Sequence, residues 1–205
     1  MLRDSFLQVL NYYTNNEQLQ EQLWLEEETH YTQPGRFYHT LEHLENMFEQ
    51  LLQCKEQIDD WNTILFSLVF HDIVYDPLRA DNEEKSADFA VQRLQTLSYP
   101  PSKIANCACQ ISATKEHTIS EDADTNFFTD ADLSILGSDD DSYKQYAANI
   151  RREYKAFPDA VYQKGRKAVL QHFLQMERIY KTAYFYEQFE KQARLNLSAE
   201  LQQLI

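Results

Sequence analysis

The stretch "WNTILFSLVFHDIVYD", Trp61 to Asp76, constrains the fold of this chain more than any other. From Ile64 to Phe70 every residue but Ser67 is apolar, so a helix built from them is apolar on all sides and belongs at the centre of other helices. The run is far too short to cross a bilayer. At its end stand His71 and Asp72. Two ionisable groups carried into a core must meet a partner, either each other or a metal ion, to offset their lost hydration.

What surrounds such a helix follows from composition. Gly 3 and Pro 5 in 205 residues are too few for a turn-rich β architecture, while Leu, Gln, Glu and Ala are abundant. No segment alternates convincingly with period two, and no internal repeat or low-complexity linker divides the chain. The expectation is an all-α helical bundle forming a single domain over residues 1–205.

Charge narrows the function. Lys plus Arg number 19 against 33 Asp plus Glu, a formal net charge of −14, so a nucleic-acid polymer would meet repulsion over most of the surface. A small phosphorylated substrate stays compatible, because a metal and a few local cations reverse the field inside one pocket. Cys54, Cys107 and Cys109 are odd in number and lack C-x-x-C spacing, which reads as reduced thiols in a cytoplasmic protein. The opening "MLRDSFLQVLNYYTNNEQ" carries early charge and no long apolar run, so neither a secretory leader nor a membrane partner is expected.

Several further helices are legible. Leu41, Leu44, Met47, Phe48, Leu51 and Leu52 recur at helical spacing, predicting a helix from about His39 to the Cys54 region with His39 and His43 one turn apart. "RADNEEKSADFAVQRL" offers Asp81 and Glu84 as a capping box and aims Glu83 inward from the first turn. A helix after Pro100-Pro101 buries Ile104, Cys107, Ala108 and Ile111 and ends near "ATKEHT". "TISEDADTN" reads as a surface loop, and "FFTDADLSILG" as a short helix with Asp130 and Asp132 at its start and Gly137 as its stop. Ser138 and Asp141 give a second capping spacing, for a helix lined on one face by Tyr143, Tyr146, Ala147, Ile150, Tyr154 and Phe157. Two or three amphipathic helices follow Pro158.

A metal hydrolase needs ligands of mixed type converging from rigid elements, with a coordination position left for water. His43, the pair His71-Asp72, and Asp130 or Asp132 lie on three separate expected helices. "RFYHTLEHL", "FHDIVYD", "DNEEKSA" and "DADLSILG" together resemble the HD-domain superfamily of metal-dependent phosphohydrolases, in particular a small bacterial branch known mainly as predicted phosphohydrolases. The resemblance runs from about Tyr31 through "YQKGR", "IYKTAYF" and "ARLNLSAEL".

This resemblance implies an all-helical fold and a divalent metal, one ion or two, of Mn, Fe, Co, Ni, Zn or Mg. By it the ligands would be His43, His71, Asp72 and Asp132, with Asp130 as the alternative last ligand. The implied reaction is hydrolysis of a phosphoester of a small molecule, such as a nucleotide, by metal-activated water. Asp72 and Glu83 would orient that water. By likeness to the "YH...H" element of cyclic-nucleotide phosphodiesterases in the same superfamily, His39 would protonate the leaving oxygen. His117 matches an extra histidine that some HD enzymes use for a second metal or for phosphate, and Lys115 and Arg36 flank the motifs as phosphate contacts. Arg166 and Arg194 match the branch's pattern without an assigned role.

Two other readings stay open on the sequence. "YHTLEHL" contains H-x-x-E-H, the spacing of inverted zinc peptidases, with His39 and His43 as ligands, Glu42 as base and Glu83 or Glu116 as third ligand. That reading leaves His71-Asp72 and "DADL" without a purpose. A non-catalytic helical module would instead hold a metal with no open position. Each residue also has a bland role: His39 as a partner of a carboxylate, Glu83 as a dipole-favoured residue of a first turn, and the spare aspartate as an N-cap.

Overall fold

The computed structural model describes residues 1–204, and among them lie ten α-helices, two short 3-10 helices and no strand. The α-helices are α1 (Leu2–Leu10), α2 (Glu17–Tyr31), α3 (Leu41–Gln53), α4 (Trp61–Phe70) and α5 (Asn82–Thr96), followed by α6 (Pro101–Ala113), α7 (Ala123–Asp132), α8 (Asp140–Glu153), α9 (Asp159–Gln175) and α10 (Ala183–Gln203). The 3-10 helices span Lys55–Gln57 and Leu133–Gly137. The all-α expectation is met.

Helix α4 occupies the centre, with every residue from Thr63 to Phe70 buried and α1, α3, α5, α6 and α7 packed around it. Phe66 and Phe70 meet the edge of Phe6 from α1 at centroid distances of 6.0 and 6.4 Å. Burying each large apolar side chain contributes roughly 1.5–3 kcal/mol, so α4 alone supplies a large share of the core's driving force. Its few polar groups are satisfied. Asp60 caps the helix by accepting from the Thr63 amide and hydroxyl, and the Ser67 hydroxyl donates to Gln110 Oε1 at 2.6 Å.

The C-terminal helices close one side of the core. Arg166 on α9 donates from Nε and Nη2 to the two carboxylate oxygens of Glu200 on α10, and from Nη1 to the Tyr146 hydroxyl on α8. Arg194 on α10 donates to Glu190 and to the carbonyls of Leu174, Met176 and Glu177 at the end of α9. The two arginines without an assigned role thus bind the C-terminal helices together.

Four local expectations are corrected. Asp81 does not cap α5 through its side chain, because it is paired with Arg79, while Glu84 is paired with Lys115. "TISEDADTN" is not all loop: Asp122 accepts from the Thr125 amide and starts α7 at Ala123, so Asp130 and Asp132 lie at the end of that helix. Asp139, not Ser138, caps α8, accepting from the amides of Asp141 and Ser142. Helix α8 ends at Glu153, leaving Tyr154 and Phe157 in the turn beyond it.

Gly137 closes the second 3-10 helix against α10. A Cβ there would stand 2.6 Å from Phe189 Cβ and 2.7 Å from its carbonyl oxygen, so one helix would have to move. Gly137→Ala is expected to cost about 2–3 kcal/mol and to lower the urea midpoint of unfolding. An unchanged midpoint would mean that this close approach does not hold in solution.

Candidate metal centre

Three segments meet where α4 ends. His43 comes from the first turn of α3, His71 follows the last residue of α4 with Asp72 beside it, and Asp132 is the last residue of α7. His43 Nε2 lies 3.2 Å from His71 Nε2 and 3.2 Å from Asp132 Oδ1. His71 Nε2 lies 3.1 Å from Asp72 Oδ2 and 3.8 Å from Asp132 Oδ1. One ligand atom each from His43, His71 and Asp132 falls within 4.8 Å of the others, so this group could hold a metal ion.

The donor chemistry fits such an ion. Donors at ~2.1 Å from a common cation stand roughly 3.0–3.4 Å apart, close to the shorter separations found here. His71 Nδ1 sits 2.9 Å from the Leu68 carbonyl, which can only accept, so Nδ1 keeps its proton and Nε2 is the nitrogen whose lone pair, once free of a proton, faces the centre. Exposure is graded in a way that leaves the site open. His43 and His71 retain 3% and 1%, whereas Asp72 and Asp132 retain 16% and 15%, so the imidazoles form a floor and the carboxylates a lip.

His117 follows α6 with a φ of +52°, in the left-handed region that histidine enters more readily than most side chains. Its Nε2 reaches Asp132 Oδ2 at 2.8 Å. Asp132 thus spends one oxygen on His43 and the other on His117. Burial opposes its charge, but those two bonds outweigh it and hold the carboxyl well below its usual range. Burial likewise opposes a charge on His71, yet the Asp72 and Asp132 carboxylates push its pKa up to about 9. At His43 burial prevails and the pKa falls.

His39 is not on α3, which starts at Leu41, and so is not one helical turn from His43 as the spacing predicted. The backbone of Phe37, Tyr38 and His39 is held instead by one carboxylate. Glu153 Oε1 accepts from their three amides at 2.7, 2.7 and 3.0 Å. Its Oε2 bonds to His39 Nδ1 at 2.7 Å and accepts from the Tyr75 hydroxyl at 2.8 Å. The other ring nitrogen of His39 faces Asp72 Oδ2 at 3.9 Å. Glu153 is absent from the sequence reading. The available hint was its register, three residues beyond Ile150 on the buried face of α8.

The remaining expected residues are placed as follows. Asp130 is fully buried and accepts from the amides of Lys181 and Thr182 and from the Thr182 hydroxyl, anchoring the start of α10 away from the histidines. Arg36 is 8% exposed, and its guanidinium donates to the carbonyls of His39, Asp72 and Ile73, so it braces the centre rather than presenting a free cation. Lys115 lies on the exposed rim, bonded to Ala80 O and Glu84. Glu83 is half-buried on the first turn of α5, outside the metal-ligand group, and Glu42 is exposed.

Two outcomes are expected. Metal content per chain is lost in His71→Ala and Asp132→Ala and kept in Glu42→Ala; retention in Asp132→Ala would overturn the donor set. Glu153 tests the brace. Burial opposes its charge, but bonds from His39 and the backbone lower its pKa from 4.5 to about 2, so its stabilisation is complete above about pH 4.5 and lost as pH falls through about 2. The stability difference between wild type and Glu153→Gln, measured by urea titration, is therefore expected to shrink from pH 7 to pH 3.5. Comparison with family models, curated proteins and solved structures finds no match to this chain.

Proposed function

We propose that this chain hydrolyses a phosphoester of a small molecule at a divalent metal held by His43, His71, Asp72 and Asp132. The observation that carries the reading is convergence: donors from α3, the end of α4 and the end of α7 meet beside a cavity of about 510 Å³ whose lining includes His39, His117 and Asp132. A bound divalent ion supplies Lewis acidity and lowers the pKa of water, the two functions that phosphoester hydrolysis needs. The partly exposed lip leaves room for water and substrate, which a purely structural site would fill with protein.

The chain's own residues supply the proton chemistry. Glu153 engages His39 Nδ1, which leaves Nε2 facing Asp72. Burial opposes a charge on His39, but Asp72 and Glu153 outweigh it and favour the imidazolium. His39 is then the proton donor to the leaving oxygen, and Asp72, which lies against His71 Nε2, orients the attacking water. The resemblance to the HD-domain superfamily supports the same reading from the residues. The peptidase alternative gains no support, since its base Glu42 is exposed and its ligand His39 is committed to Glu153.

The test is phosphate release from p-nitrophenyl phosphate by protein loaded in turn with Mn, Fe, Co, Ni, Zn and Mg. At least one ion is expected to support turnover that a chelator abolishes. On an alkyl phosphate, whose leaving oxygen departs only with a proton, His39→Gln is expected to lower kcat by roughly 10²–10⁴-fold with metal content unchanged. Absence of phosphate release with every ion, from protein that carries one metal per chain, would overturn the proposal.

A further inference from the structure

The cavity beside the metal centre has a character of its own. His39, His117 and Asp132 line it on the side of the metal centre, and the end of α8, the turn after it and α9 form much of the rest of its wall. At about 510 Å³ it falls within the ~300–1,000 Å³ usual for small-molecule sites. Rings dominate the walls, with Tyr38 against Tyr146 at a centroid distance of 4.7 Å, and Tyr154 against Phe157 and Tyr162 at 5.8 and 6.1 Å. Leu133, Leu136, Ile150 and Val161 fill the gaps between them.

Cations are scarce there. Among the described residues lining the cavity, Lys115 and Arg166 are the basic side chains, apart from the histidines. Lys115 is paired with Glu84, and Arg166 is 7% exposed with its fork closed on Glu200. A second phosphoryl group drawn into this cavity would lose its hydration without gaining a free counter-charge. A hydroxyl-rich sugar would bury donors and acceptors against carbon.

Gly165 supplies an independent observation. It sits inside α9, where glycine is among the least favourable residues, and a Cβ built on it meets nothing within 4 Å. Its φ is not in the left-handed region and no neighbour presses on it, so neither backbone nor packing calls for a glycine. Gly165 is exposed and lines the cavity, so the lack of a side chain leaves that part of its wall open.

We infer that this cavity is a leaving-group subsite for a planar, uncharged aromatic ring, and that the phosphoester it serves carries one phosphoryl group. The inference rests on the phosphohydrolase reading and specifies its substrate class. Flat rings match the wall because aromatic pairs gain from edge and face contacts beyond simple area burial. In the reaction the bond between phosphorus and the aryl-bearing oxygen breaks, the water oxygen bonds to phosphorus and gives up a proton, and the leaving oxygen keeps the electron pair and takes a proton from His39, which the proton from water restores.

The experiment has two readouts on metal-loaded protein. The first is binding of 1-naphthol, the alcohol alone, to wild type and to Gly165→Val and Gly165→Phe, with metal content and helical circular dichroism confirming each fold. Binding is expected to weaken with side-chain size, at least tenfold in Gly165→Phe. The second is kcat/KM, expected to be at least tenfold higher for 1-naphthyl phosphate than for glucose 6-phosphate, fructose 1,6-bisphosphate or octyl phosphate. Naphthol binding that Gly165→Phe does not weaken overturns the subsite, even if phosphate is released. Faster turnover of octyl phosphate or of the bisphosphate overturns the ring or the single phosphoryl group. Size-dependent naphthol binding without phosphate release from any ester keeps the ring site and overturns the reaction.

Discussion

The carboxylate of Glu153 is the interaction on which the arrangement of this site depends. One buried group gathers three consecutive amides, an imidazole and a phenol, and bonds to an ionised acceptor are stronger than those between neutral partners. It holds the bend of residues 37–40 just before α3, so that His39 stands outside the helix and His43 inside its first turn. Loss of the carboxylate would leave buried donors unpaired and release both residues.

The same device recurs through the fold and accounts for part of its acidity. Asp130 anchors Lys181 and Thr182, Asp124 accepts from the amides of Asp59 and Asp60, and Glu190 accepts from those of Ile179 and Tyr180. Each carboxylate ties the amides of a turn or a helix start to a helix side chain, from a distant helix for Asp130 and Asp124 and from the following helix for Glu190. Part of the surplus of acidic residues is thus internal scaffolding, a different matter from a solvated charged surface.

Core and site are one construction. The apolar helix α4 must lie at the centre, and it therefore carries His71 to the floor of the cluster, where the Leu68 carbonyl sets the ring's tautomer. Arg36 then binds the carbonyl of Asp72 as well as that of His39, linking the two sides of the opening through backbone atoms. The donors depend on protonation as well as position, because a proton on His71 competes with any cation for the same nitrogen.

The sequence by itself determined the helical class, the central place of α4 and the order His43, His71-Asp72, aspartate, because these are properties of local periodicity and of burial. It did not separate Asp130 from Asp132. Residues two apart on a helix point in nearly opposite directions, and only the position of α7 in the bundle decides which one faces the histidines. Nor could it show that Glu153 holds His39, a contact across 114 residues, or that Arg36 and Arg166 are spent on carbonyls and on Glu200. Which charge meets which is settled when the chain closes on itself, since an ion pair depends on distance in space and carries no mark in the residues beside it.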